Sequence, residues 1–127
     1  MVAEADKPCE WGGPLEGLRV LDLTRVLAGP YATQSLGDLG AEVIKVEPPH
    51  GDDTRNFPPF VGQESHYFLA LNRNKKSIVI DLKKEAGKDL LRQLAAKSDV
   101  LIENYRPGVM DKLGLGYDEL CAINPRL

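Results

Sequence analysis

The chain contains 127 residues, of which 43% are hydrophobic and 28% charged, which suffices for one domain with a hydrophobic core and excludes a disordered composition. Its net charge of −3 argues against a nucleic-acid-binding protein, because tight binding to a polyanion normally requires an excess of Lys and Arg. Any anion site must therefore be local. The longest apolar runs are far shorter than the ~18 residues of a membrane span, so the sequence predicts a soluble protein with no membrane partner.

The segment 1–13 predicts a flexible lead, and the globular part is expected over 14–127. The lead has neither the Arg-rich character of a transit peptide nor the apolar centre of a signal peptide. With no targeting segment visible, the cytoplasm and the mitochondrial matrix both stay open. Cys9 and Cys121 lie far apart and fit no metal-ligand spacing, so both are predicted to be ordinary thiols in a reducing compartment.

The predicted elements begin with a strand, a helix and a second strand. The β-prone run at 19–24 predicts the first strand, and 32–39 predicts a helix that ends at a glycine C-cap. The run at 42–47 predicts the second strand. A βαβ unit of this length requires two parallel strands and a right-handed crossover.

The segment 48–62 is rich in proline, glycine and polar residues, which predicts an irregular loop that is either functional or mobile. Within it, the pair Asp52 and Asp53 is interpreted as part of a solvated loop rather than as an acid/base dyad.

The remaining chain continues the alternation of strands and helices. Apolar residues over 84–97 fall at helical spacing opposite charged residues, which predicts an amphipathic helix. The other predicted elements are a helix at 65–71, strands at 76–82 and 99–103, and short helices at 107–113 and 117–123. Together they predict an α/β fold with a parallel sheet and flanking helices. Because the pattern stops where a next strand is due, the chain is expected to be the incomplete N-terminal part of a larger domain.

Candidate ligand-binding segments follow the predicted strands, because open α/β sheets bind ligands at the carboxyl ends of their strands. The segment Arg25–Pro30 either presents a helix N-terminus to an anion or is only a Gly-Pro turn. The basic segment Asn72–Ser77 either neutralises a phosphate or is a solvated turn. Asn104 and Tyr105 would face a ligand at the sheet edge, although Tyr105 could equally be a core aromatic.

Several familiar site patterns are missing from the sequence. No G-x-G-x-x-G follows the first predicted strand, and no Walker pattern occurs, so neither a dinucleotide fingerprint nor ATP-dependent chemistry is supported. His50 and His66 lack a supporting carboxylate pattern, and no metal is expected.

Three segments together resemble the opening half of the class III CoA-transferases, the group that contains formyl-CoA transferases, carnitine CoA-transferases and racemases. They are PLEGLRVLDLTRVLAGPYATQSLGDLGAEVIKVEPPHGDDTR, NRNKKSIVIDLKKEAGKDLL and DVLIENYRPGVMDKLGLGY. The resemblance extends from about Pro14 to Leu127 and is greatest to members that act on dicarboxylic acids such as succinate and glutarate.

The resemblance implies a Rossmann-like domain in an interlocked, ring-shaped homodimer, with coenzyme A along the carboxyl ends of the strands. It assigns a CoA-site role to seven residues by position: Val26 and Leu27 near the thioester, Ile80 and Leu113 beside the adenine, Asn104 and Tyr105 along the channel, and Lys112 at a phosphate. Lys112 stands where relatives often have Arg, so the cation is kept but the planar two-pronged donor is lost. Pro48 stands where some relatives carry an Arg near the adenine, and Arg55 or Arg73 would have to supply that charge.

The chemistry implied by the resemblance moves CoA between carboxylic acids. In the family an aspartate attacks the acyl-CoA thioester, and an aspartyl-CoA intermediate follows. That position is expected beyond Leu127, so no catalytic residue is assigned. An acyl-CoA racemase, an inactive truncated product acting only through dimer contacts, and a nucleotide-binding module for another ligand remain open alternatives.

Overall fold

The computed structural model describes residues 12–127, so Cys9 and all of the predicted lead except its last two residues lie outside the described part. In chain order the strands are β1 (Arg19–Asp22), β2 (Glu42–Glu47), β3 (Phe60–Val61), β4 (Glu64–Ser65), β5 (Lys75–Val79) and β6 (Val100–Ile102). The helices are α1 (Ala28–Asp38), α2 (His66–Asn72), α3 (Glu85–Ala95), α4 (Val109–Lys112) and α5 (Tyr117–Ile123), with a short 3-10 helix at Asp53–Asn56.

The central sheet has the strand order β5-β2-β1-β6, and every neighbouring pair in it runs parallel. Each parallel pair needs a crossover between its strands, and α1 supplies the one between β1 and β2. The α/β fold with a parallel sheet is therefore confirmed. Because all four strands point the same way, the loops that follow them all lie at the carboxyl ends of the strands.

Helix α1 begins at Ala28, four residues before the predicted start at 32. Gly29 and Pro30 lie in its first turn, where the fixed φ of proline suits a helix and its missing N–H costs nothing. A Cβ on Gly29 would lie only 2.3 Å from the Cβ of Thr24, so the close approach of α1 to the end of β1 requires glycine.

The segment 48–62, predicted to be irregular, contains the 3-10 helix and the strand β3, which pairs antiparallel with β4. The side chain of Asp52 caps the 3-10 helix by accepting a hydrogen bond from the backbone N–H of Thr54. This local capping turns part of a proline-rich loop into ordered structure.

The sheet separates two hydrophobic clusters. Leu21 of β1 and Leu23, just after β1, belong to the larger cluster, together with Leu91 of α3 and Leu120 of α5. Val20 points the other way, into a smaller cluster on the opposite face of the sheet. Burial on both faces is typical of a parallel sheet covered by helices.

Strand β6 has a paired neighbour, β1, on one side only within residues 12–127. Its three residues are half-buried, and an apolar groove of about 430 Å³ lies beside it. The lining of this groove includes Leu101, Leu115, Leu120 and Leu127. We call this region the β6 edge.

Candidate ligand groove at the carboxyl ends of the strands

A groove of about 720 Å³ opens at the carboxyl ends of the four parallel strands. We call it the carboxyl-end groove, and its lining residues come from β2 and from the segments that follow each of the four strands. Its lining residues are Arg25 after β1, Val46 and Pro48 to His50 from β2 and its loop, Ile80 to Lys83 after β5, and Tyr105, Val109 and Leu113 after β6. This is the place where open α/β sheets bind their ligands.

Three of the seven residues predicted for the CoA site line this groove, namely Ile80, Tyr105 and Leu113, and Pro48 lies there as well. Ile80 is buried and belongs to the main core cluster, so it forms part of an apolar floor. The structure therefore brings together the two residues predicted beside the adenine with one residue predicted along the channel. Their role toward CoA stays a prediction.

Val26, Leu27, Asn104 and Lys112 are not among the lining residues of the groove. Val26 and Leu27 lie in the turn after Arg25 and expose 40% and 51% of their surface. Lys112 is exposed at the end of α4. Their assignment to a bound thioester or phosphate also stays a prediction.

Val26 has a strained backbone, with φ at 70°. A β-branched residue rarely adopts this left-handed conformation, and such strain is concentrated at functional sites. The strain falls in the turn between β1 and α1, next to Arg25. This turn is the Gly-Pro entry to a helix that the sequence predicted, and α1 has no side-chain cap at its N-terminus.

Asn104 joins the loops that follow β1 and β6. Its Oδ1 accepts a hydrogen bond from the backbone N–H of Arg25 at 2.9 Å, and its Nδ2 donates to the carbonyl of Arg25 at 2.8 Å. Both ends of the amide are therefore engaged by protein backbone. Asn104 holds Arg25 at the groove rather than lining the groove itself.

Tyr105 lies both at the core and at the groove, the two positions that the sequence interpretation left open. Its ring packs against the main core cluster and also lines the carboxyl-end groove. The guanidinium carbon of Arg25 lies 5.3 Å from the ring centroid, within the range of a cation–π interaction. Burial raises the pKa of the Tyr105 phenol, so the hydroxyl stays protonated at neutral pH.

The sequence interpretation placed Arg25 in a candidate ligand-binding segment but gave no individual role to the titratable residues of the groove. Arg25, His50, Asp81 and Lys83 all line it. Each lies within three residues of the end of its strand or, for Lys83, four residues after β5. Proximity to a strand's carboxyl end was the available signal for them.

The basic segment Asn72–Ser77 does not contribute a phosphate site to this groove. It lies at the start of β5, and the carboxyl-end groove lies at the other end of the sheet. Each cation has a carboxylate partner: Arg73 with Asp38 at 2.7 Å, Lys75 with Asp22 at 3.0 Å, and Lys76 with Glu42 at 2.6 Å. These pairs compete with any phosphate for the cations, whose role toward a phosphate stays a prediction, and Arg73 is not among the lining residues of the groove.

The interpretation of Asp52 as a solvated loop residue is wrong. Its side chain is 1% exposed and pairs with Lys45, itself 2% exposed, at 2.9 Å. Burial opposes ionisation of Asp52, but hydrogen bonds from Thr54 and Lys45 outweigh it and lower the pKa of the carboxyl. Asp53, the next residue, is exposed as predicted.

Glu47, at the end of β2, anchors the loop that follows it. Arg55 donates two hydrogen bonds to the Glu47 carboxylate, both at 2.7 Å, and Ser77 donates a third. Burial opposes ionisation most strongly, yet these bonds and one from the backbone N–H of Asp52 lower the pKa of Glu47 to about 2. Arg55 is thus committed to Glu47 and to the ring of Phe68, 3.8 Å away, rather than to the groove.

No cluster of three or more His, Cys, Asp or Glu side chains suited to a metal ion occurs within residues 12–127. Cys121 is a free thiol. Across that same stretch of chain, no helix is long and apolar enough to cross a membrane.

An open parallel α/β sheet with a mixed apolar and charged groove at the carboxyl ends of its strands is the arrangement in which this class of protein binds ligands. The sequence model of CoA-transferase family III matches residues 15–127, and the chain belongs to this family.

Curated relatives and a solved structure agree with the family assignment. The chain is 58% identical over 121 residues to the succinyl-CoA:glutarate CoA-transferase of Mus musculus, covering 94% of this chain and 28% of the relative. It is 55% identical to the acetyl-CoA:oxalate CoA-transferase of Acetobacter aceti, covering 94% of this chain and 31% of the relative. A CAIB/BAIF family protein from Brucella suis superposes with a TM-score of 0.87 at 51% identity, covering 91% of this chain and 32% of that structure. The chain thus spans less than a third of the length of each of these proteins.

Proposed function

We propose that this chain forms the CoA-binding part of an enzyme that transfers CoA between carboxylic acids. The observation that carries the proposal is the carboxyl-end groove, in which an apolar floor and two cations lie together at the expected end of the sheet. Membership of CoA-transferase family III supports CoA as the ligand. The names of the mouse and Acetobacter relatives support small dicarboxylic acids as the acceptors of CoA.

The groove offers complementary chemistry for the nucleotide end of CoA. Ile80 and Leu113 provide apolar surface for the adenine, and Tyr105 provides an aromatic face beside them. Arg25 and Lys83 provide positive charge for the phosphates. Val26 and Leu27 would then lie toward the thioester, in the strained turn after β1.

The proposed reaction uses a carboxylate nucleophile from outside these 127 residues. Its oxygen attacks the thioester carbonyl, the C–S bond breaks, and the CoA thiolate leaves a mixed anhydride behind. The thiolate then attacks the enzyme carbonyl of the anhydride, which releases the donor acid and forms an enzyme-CoA thioester. The acceptor acid repeats the sequence in reverse and leaves as its CoA thioester.

The whole enzyme is proposed to act as a homodimer, as the family resemblance implies. The carboxyl-end groove is formed by residues of one chain, so CoA binding can be tested on this chain. Transfer activity belongs to a protein of the relatives' length that carries this chain.

The test is isothermal titration of the 127-residue chain with CoA and, separately, with NAD. We expect CoA to bind and NAD to bind much more weakly. Lys83→Gln should weaken CoA binding roughly tenfold, equivalent to ~1.4 kcal/mol, through loss of a phosphate contact. Lys97→Gln is the matched control, because Lys97 is exposed and does not line the groove.

Two outcomes would contradict the proposal. Equal affinity for CoA and NAD would favour a nucleotide-binding module with a different ligand. Absence of binding to either would favour a chain that acts only through contacts with a partner.

A further inference from the structure

Two turns have the same hydrogen-bond pattern, and the aspartate of each turn binds a buried lysine. In Asp22-Leu23-Thr24 and in Asp52-Asp53-Thr54, the aspartate Oδ1 accepts hydrogen bonds from both the backbone N–H and the hydroxyl of the threonine two residues later. The Oδ2 accepts from a lysine, Lys75 at 3.0 Å in the first turn and Lys45 at 2.9 Å in the second. The first turn closes β1, and the second lies in the loop after β2.

Lys45 connects these two turns directly. Its Nζ donates to the Asp52 carboxylate and also to the carbonyl of Thr24, both at 2.9 Å. Thr24 immediately precedes Arg25, which lines one wall of the carboxyl-end groove. Asp52 lies two residues after His50, which lines another wall. One ammonium group therefore spans the bases of two walls that are far apart in sequence.

Burying the charges of Lys45 and Asp52 costs free energy unless every buried polar group has a hydrogen-bond partner. Removing two charges from water carries a penalty that a buried ion pair often only balances, so an apolar pair of equal volume would serve stability as well. Here the polar groups are fully used, since every buried side-chain nitrogen and oxygen among residues 12–127 has a hydrogen-bond partner. What a pair of apolar side chains could not supply is the directional link to the Thr24 carbonyl.

We propose that Lys45 and Asp52 are positioning residues, which set the separation of the Arg25 wall from the His50 wall and thereby the affinity of the groove for CoA. The identity of the ligand rests on the proposed function, whereas the positioning role does not. Lys45 acts through the backbone of Thr24 and the turn at Asp52, and it is not placed in contact with the ligand.

The variants are Lys45→Met, Asp52→Asn and the double variant K45M/D52N, each in the 127-residue chain. Lys45→Met should weaken CoA binding about tenfold, measured well below the melting temperature of every variant. The double variant removes both buried charges, so its melting temperature should recover most of the loss caused by Lys45→Met. Its CoA affinity should stay low, because the link to Thr24 is still missing.

Leu91→Ala is the control for a loss of stability alone. Leu91 is fully buried on α3 in the main core cluster and does not line the groove. We expect Leu91→Ala to lower the melting temperature with little change in CoA affinity. Two results would overturn the positioning role. One is a loss of CoA affinity in Leu91→Ala as large as that in Lys45→Met. The other is recovery of both the melting temperature and the CoA affinity in the double variant.

Amide hydrogen exchange gives a second measurement that needs no ligand. Lys45→Met should accelerate exchange at 25–27 and at 50–55 relative to Leu91→Ala at matched stability. If the wild-type chain binds no CoA, the proposed function fails while exchange still decides the positioning role. If Lys45→Met does not fold, Asp52→Asn decides it, because Asn keeps an acceptor for Thr54; wild-type affinity and exchange in that variant would count against the proposal.

Discussion

At the residue scale, the fold removes three carboxylates from water. Asp22, Glu47 and Asp52 are all buried, and each accepts hydrogen bonds from a cation and from neighbouring groups. In Glu47 and Asp52 the donors outweigh the penalty of burial and lower the pKa, so these two carboxylates stay ionised. Such groups couple folding to pH, and Glu47 shows this most clearly.

Glu47 predicts a specific acid sensitivity. Its folded pKa is about 2, against a usual value of 4.5, so the folded state favours the carboxylate. The stability it contributes is therefore complete above pH 4.5 and is lost as the pH falls toward 2. The full contribution is ~3 kcal/mol. Glu47→Gln should lower the free energy of unfolding at pH 6, and its difference from wild type should shrink as the pH approaches 2.5.

Urea denaturation between pH 6 and pH 2.5 measures this effect. Glu16→Gln is the control, because Glu16 is an exposed carboxylate, and this variant should follow the wild-type curve. If the free energies of unfolding of Glu47→Gln and wild type differ by a constant amount across this range, Glu47 stabilises the fold through packing, and its ionisation is not coupled to folding.

At the element scale, the four strands of the parallel sheet and the five helices could be predicted from the sequence because their signals are local, whereas the short strands β3 and β4 and the 3-10 helix could not. The apolar spacing of α3 and the run of β-prone residues in β2 each lie within a dozen residues of chain. The side-chain pairing could not be predicted in the same way. Lys75 finds Asp22 across 53 positions, and the Asp52 carboxylate is buried only because β2 presents Lys45 beneath it.

The groove shows the same division between local and long-range information. Ile80, Tyr105 and Leu113 were assigned through resemblance of short motifs and do meet in the structure. Asn104 lies in the same motif, but its partner is the backbone of Arg25, 79 positions away. The strand order that brings these loops together is a property of the whole sheet.

Substitution of Asn104 is therefore expected to loosen two loops at once, those after β1 and β6. Asn104→Ala removes both hydrogen bonds to Arg25, so the loops after β1 and β6 should separate more easily. We expect the free energy of unfolding to fall by about 1 kcal/mol, since each bond is exposed and makes a modest net contribution. Amide exchange at Arg25 should accelerate, because its N–H loses its acceptor.

Asn104→Asp is the graded comparison. An aspartate keeps the acceptor for the Arg25 N–H and loses the donor to the Arg25 carbonyl. Its exchange rate at Arg25 should lie between those of wild type and Asn104→Ala. Equal acceleration in both variants would mean that the geometry of the amide, rather than the bond at Arg25, holds the loops.

At the scale of the whole molecule, the β6 edge is the least protected part of the sheet. Strand β5, at the opposite edge, carries Lys75 and Lys76, and charged side chains on an edge strand oppose pairing with another chain. Strand β6 has the sequence Val-Leu-Ile, with half-buried side chains beside an apolar groove. Unpaired backbone groups next to apolar surface are a template for association.

The 127-residue chain is therefore expected to self-associate through the β6 edge. Leu101→Lys places a charge in the middle of this strand and should increase the monomer fraction, measured by sedimentation velocity over a range of concentrations. Lys76→Leu makes the opposite change on the other edge, where Lys76 pairs with Glu42, and should promote association there. If wild type and Leu101→Lys are both monomeric at high concentration, the expectation of self-association through the β6 edge is wrong. If Leu101→Lys associates as strongly as wild type, another surface drives self-association.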